Sequence, residues 1–151
     1  MHKPFHTLIA ALAACTGLDS LKASQDDSCQ LLFDGLPLTI EYLSESDSVL
    51  FFSALGGLPR DNREDFCLKL LEANHFFSGT AGGTLSVHRN YEIVALHMVV
   101  SMQLLDVAQF MQTIESYMNT AERWAKACEQ VDDVRPVIAH GCPVGSGWQP
   151  V

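Results

Sequence analysis

The chain has 151 residues, 48% of them hydrophobic, and its 18 acidic against 9 basic side chains leave a formal charge of −9. That length fits a single domain, and so acidic a chain lacks the positive field on which nucleic-acid or anionic-membrane binding depends. No apolar run reaches the roughly 20 residues of a membrane span, and the five cysteines (15, 29, 67, 128 and 142) contain no CxxC pair and read as reduced thiols.

Taken in chain order, Phe5, Leu8, Ile9, Leu12 and Thr16 recur at helical spacing, and Gly17 is placed to stop the helix. The stretch LIAALAAC (8–15) has a second reading. It resembles the end of a bacterial lipoprotein signal, with Cys15 as the lipidated residue of an envelope protein, and the other four cysteines could then form two disulfides. Residues 18–28 are a polar connection. CQLLFD (29–34) and LTIEYL (38–43) read as strands joined by a hairpin at Asp34-Gly35. After the turn SESDS (44–48) comes the strand VLFFSAL (49–55), ended by Gly56-Gly57.

Pro59 and Asp61 open a second helix, Asp61 with Glu64 forming a capping box, and it runs to His75 or Phe76. SGTAGG (78–83) stops it. TLSVHR (84–89) and EIVALHMVVSM (92–102) are strands about a turn at Asn90-Tyr91. Asp106 and Gln109 open the last helix, whose apolar face is Val107, Phe110, Met111, Ile114, Met118, Ala121, Ala125 and Cys128. Glu122 and Lys126 pair four residues apart on its outer side. From Val131 Pro and Gly recur without period. The order α-βββ-α-ββ-α predicts an α+β domain over 1–130, a twisted antiparallel sheet packed by helices, followed by a flexible tail over 131–151.

Catalytic chemistry finds little support. SGTAGGTL runs from helix to strand, the reverse of a phosphate loop, and no Gly-Lys-Ser/Thr follows it. Cys128, His140 and Cys142 lack a fourth ligand at fixed spacing. His97 lies in an apolar strand as a core or interface histidine, and His75 and His88 flank the glycine turn as solvated side chains. The carboxylates Asp26, Asp27, Glu45, Asp47, Asp61, Glu64 and Asp65 sit in turns and helix starts, where capping and solubility explain them. Ser53 and Ser101 have no base at a recognisable spacing. No enzyme, cofactor or metal is read.

The anomaly is apolar residues on both faces of two strands. LTIEYL alternates cleanly, with Leu38, Ile40 and Tyr42 opposite Thr39 and Glu41. In VLFFSAL, Val49, Phe51 and Leu55 oppose Leu50, Phe52 and Ala54; in IVALHMVV, Ile93, Ala95 and Val99 oppose Val94, Leu96, Met98 and Val100. The middle helix carries Phe66, Leu70, Ala73 and Phe77 as one stripe, widened by Cys67, Leu71 and Phe76. Three helices cannot comfortably cover such a sheet twice, which points to a partner or a second copy unless both faces are buried within one chain.

LLEANHFFSGTAGGTLSVHRNYEIVALHMVVSM (70–102), the helix containing NTAERWAKAC (119–128), and FDGLPLTIEYL followed by VLFFSALGGLP together resemble the class I type III secretion chaperones of bacteria with injection systems. The resemblance covers about Phe5 to Glu129. It implies that the first segment is a retained helix, that the protein is cytoplasmic, and that it forms a homodimer through the middle helix and adjoining strand. It further implies that the dimer binds the N-terminal segment of a secreted effector, keeps it partly unfolded, and serves the secretion apparatus. On this basis Phe66, Leu70, Leu71 and Leu96 are expected at the dimer interface, and Leu8, Leu12, Leu32, Phe33, Leu50 and Phe52 in the effector groove.

Overall fold

In a computed structural model, residues 2–18 and 20–129 are described; the expected tail over 131–151, with His140 and Cys142, lies outside the described residues. Helix α1 (Lys3–Thr16) takes Pro4 in its first turn and ends at Gly17, whose φ is 70°. Strands β1 (Ser28–Phe33) and β2 (Leu36–Leu43) form a hairpin in register Phe33↔Leu36. Its two-residue turn holds Asp34 at φ 48° and Gly35 at φ 86°. Such a turn matches the right-handed strand twist only when both residues are left-handed, which Gly permits and Asp tolerates. Strand β3 (Ser48–Gly57) pairs with β2 and returns the chain across the middle of the sheet.

Helix α2 spans Arg63–Asn74 and starts differently from expectation. The Asp61–Glu64 capping box does not form. Asn62 is the N-cap, left-handed at φ 52°, and makes no side-chain cap bond. Arg63 instead folds back, its Nε donating to the Pro59 carbonyl (3.2 Å) and its Nη2 to Glu92 (2.9 Å). At the other end His75–Phe77 tighten into a 3-10 turn, where Phe76 and Phe77 adopt φ 50° and 56°. Strands β4 (Thr84–His88) and β5 (Ile93–Ser101) follow, then α3 (Val107–Glu129). Here the expected capping box is present: the Gln109 N–H donates to Asp106 Oδ1 at 2.8 Å, and the Asp106 N–H to Gln109 Oε1 at 2.9 Å.

The sheet is antiparallel throughout, in the order β1-β2-β3-β5-β4. The chain therefore leaves β3, crosses by α2, enters β4 at the far edge, and inserts β5 between them. Register fixes the two faces. Leu31, Leu38, Ile40, Val49, Phe51, Leu85, Val94 and Leu96 share one face and are buried. All three helices contribute to this single core: Phe5, Leu8, Ile9 and Leu12 from α1, Phe66, Leu70 and Ala73 from α2, and Phe110, Ile114, Tyr117 and Ala121 from α3. Phe51 sits at its centre, 5.9 Å from the rings of both Phe110 and Tyr117. The Tyr117 hydroxyl donates to the Leu96 carbonyl at 2.7 Å, satisfying the one polar atom of a ring that is otherwise enclosed. Close approach of α3 to the sheet needs Gly56, because a Cβ there would lie 2.9 Å from that of Cys128.

The residues that carried the family resemblance turn out to hold these elements together. Asn74, the asparagine of LEAN, donates from Nδ2 to the Leu85 carbonyl (2.9 Å) and accepts from the Leu85 N–H (2.8 Å). It thereby ties the last residue of α2 to the edge strand β4 and occupies the outward backbone groups of Leu85. Arg123 and Trp124 both donate to the Gly79 carbonyl, at 2.7 and 2.9 Å, and fasten the glycine turn to α3.

Candidate protein-binding surfaces

The opposite face of the sheet is a grid set by the strand register. One row runs Ser28–Glu41–Leu50–Val99 and the next Gln30–Thr39–Phe52–His97–Thr84. Leu32 also lies on this face. Leu32 is 67% and Val99 54% exposed, while Leu50, Phe52 and Ala54 are only partly covered. His97 is half-buried here, and burial lowers its pKa, so the ring is neutral at physiological pH. A second apolar surface lies on the helix side, where α1, β1 and α3 leave an open groove of about 550 Å³. Leu12 and Ile114 form its floor, Phe33, Met111 and Met118 its walls, and Glu115 is its charged rim. A third surface is formed by the outer side of α2 and the turn after it: Leu68, Leu71, Phe76 and Phe77 are 50%, 65%, 86% and 55% exposed.

The six residues expected in an effector groove therefore divide between surfaces. Leu12 and Phe33 line the helix-side groove, Leu8 is buried beneath α1, and Leu32, Leu50 and Phe52 lie on the open sheet face. Of the four expected at a dimer interface, Phe66, Leu70 and Leu96 are enclosed in the core of their own chain. Leu71 alone is presented outward. The physical reason is helix phase: 66, 70 and 73 form the inward stripe of α2, leaving 68 and 71 on the far side.

Sequence spacing gave no sign of the contact that seats α1. The His2 ring stacks on Tyr42 at 3.9 Å, and the His2 N–H and His6 Nε2 meet the Asp27 carboxylate at 2.9 and 2.7 Å. Burial works against the charged carboxylate, yet lowering interactions led by the His2 N–H and then the His6 ring hold Asp27 below the usual range. Residues 21 to 25 positions apart are joined in this way, beyond the reach of any local pattern.

Cys15 is exposed on α1. Cleavage in front of it would remove Phe5, Leu8, Ile9 and Leu12 from the core, so the lipoprotein reading conflicts with the packing of this helix. No helix among the described residues is long and apolar enough to cross a membrane. Burial raises the thiols of Cys29 and, together with Glu129, of Cys128 (to about 11), leaving both protonated and poorly nucleophilic. Among the described residues no cluster of His, Cys, Asp or Glu suits a metal ion.

Residues 7–125 match the Tir chaperone protein (CesT) family. The chain belongs to this family. Among solved structures, the fold is similar to that of a chain in the ExsC–ExsE complex (TM-score 0.69, 20% identity, covering 80% of this chain and 90% of that one). It is likewise similar to a chain in the Yersinia pestis complex of the type III secretion chaperone SycH with a fragment of YscM2 (0.62, 14%, 78% and 96%). A third is the Pseudomonas aeruginosa ExoU–SpcU complex from the type III secretion system (0.60, 20%, 82% and 95%). At these identities the likeness establishes the α+β fold. Compared with curated protein sequences, the chain matches none.

Proposed function

We infer that this CesT-family protein is a type III secretion chaperone of the bacterial cytoplasm. It binds the N-terminal segment of one or more secreted effectors and keeps that segment partly unfolded and soluble. Its work is binding rather than catalysis. The observation that carries the reading is the sheet face that no helix among the described residues covers, with Leu32 and Val99 exposed and Leu50 and Phe52 only partly covered, together with the groove of Leu12, Phe33, Met111 and Met118 on the helix side. A client with many shallow apolar contacts and no fixed fold of its own suits such surfaces better than a compact ligand. Methionine walls adapt to differing side chains, which favours service to more than one client. The free edge of β1 offers a further mode: the antiparallel alternation turns the backbone groups of Gln30 and Leu32 away from β2, where an extended segment can add to the sheet.

The protein acts as a homodimer in this reading, with Leu71, Leu68 and the Phe76-Phe77 turn forming the contact across α2. The supporting observation is that all four of these large apolar side chains are exposed on α2 and the turn that follows it. The test is co-purification from a host with an active injection system. The expected partner is a secreted protein whose capture is lost when its N-terminal segment is deleted. Capture that survives this deletion would overturn the reading.

A further inference from the structure

Glu41 is the one carboxylate in the two rows that cross the open sheet face. It projects from β2 to the helix-free side of the sheet, directly beside Leu50 and one row from Phe52. It is partly buried there, and burial raises its carboxyl pKa. Among the described residues no hydrogen bond or ion pair answers its charge, and the other titratable side chain of those two rows, His97, is held neutral. A partly desolvated carboxylate without a partner carries a cost that a cationic partner would relieve.

We propose that the open sheet face docks a client segment bearing a cationic side chain, arginine by preference, which pairs with Glu41 while flanking apolar side chains seat on Leu50 and Phe52. The proposal rests on the chaperone reading and adds the chemistry of the segment recognised. Arginine suits the position because its planar guanidinium is weakly hydrated and meets a carboxylate with two parallel hydrogen bonds. Charge complementarity also separates this occupant from a second copy of the chain. The exposed leucines of α2 are bordered by Glu64, Asp65 and Glu72 against Lys69, so a partner's α2 would bring acid toward Glu41.

The probes are three fluorescein-labelled peptides of alternating leucine and serine, differing only in a central arginine, citrulline or glutamate. They are titrated into the full chain by fluorescence anisotropy. The arginine peptide is expected to bind about tenfold more tightly than its uncharged citrulline counterpart. Glu41→Gln should abolish that preference, and Glu41→Lys should transfer it to the glutamate peptide, with far-UV circular dichroism unchanged. An unaltered ranking in both variants, or no binding of any peptide, overturns the proposal. So does a change in molecular mass by light scattering in Glu41→Lys, which would assign the face to a subunit contact. A captured effector bound equally by wild type and Glu41→Lys sinks this inference while leaving the chaperone reading intact.

Discussion

Phe51 and Phe52 are neighbours in β3 with opposite fates. Phe51 is fully enclosed between Phe110 and Tyr117, whereas Phe52 lies on the helix-free face between Thr39 and His97. The same residue type is thus packed into the core on one side of the sheet and left only partly covered on the other, where the proposed function has it meet a client. Each large side chain kept wet forgoes about 1.5–3 kcal/mol of burial, so an apolar face left bare is a reservoir for binding.

The contrast is open to direct attack. Phe51→Ala should cost about 3–5 kcal/mol in urea unfolding, because it opens a cavity in a packed core. Phe52→Ala should cost less than about 1 kcal/mol and weaken client binding instead; equal losses of stability at the two positions would erase the distinction. Asn74→Ala removes both bonds to Leu85 and should cost about 1–3 kcal/mol, with the freed β4 edge raising aggregation in light scattering. Asp27→Asn loosens the seat of α1 and should cost about 1 kcal/mol at neutral pH.

The pH dependence of that seat has a fixed sign. The Asp27 carboxyl lies below its ordinary value of 3.8 in the folded protein, so its contribution is complete above that value and fades as pH falls through the lower folded one. Wild type should lose its advantage over Asp27→Asn on acidification through this window, and a constant difference down to full protonation would remove Asp27 from the account. The smallest expected effect on stability is that of Leu71→Asp, within about 0.5 kcal/mol. It should nonetheless yield monomers in light scattering, and a persistent dimer would move the subunit contact away from α2.

Much of this architecture was legible from the chain alone. Asp34-Gly35 placed a hairpin, Asp106 with Gln109 placed the start of α3, and period-two alternation sorted the faces of β2, β3 and β5 correctly. What alternation could not supply was the fate of each face. Phe66 and Leu70 look like interface residues in a list of apolar positions, yet helix phase turns them inward. Phe77 continues the stripe on paper, but α2 has already ended at Asn74 and left-handed backbone at Phe76 and Phe77 throws both rings outward. In α3, Tyr117 and Thr120 are buried although their polar tips hid them from an apolar count. The Asp27 seat and the Asn74 clamp escaped for a different reason, since both are made across long stretches of chain by side chains whose local role is only to turn or cap.

The amide of Asn74 has a consequence for assembly. Sheets that stack rim to rim into fibres need two vacant rims per molecule, and here one is short and plugged at Leu85 while the other, at Gln30 and Leu32, stays vacant. Copies of the chain can therefore meet rim to rim only through β1, so such stacking stops at a pair instead of running on into a fibre, while the same rim remains open to an extended visitor.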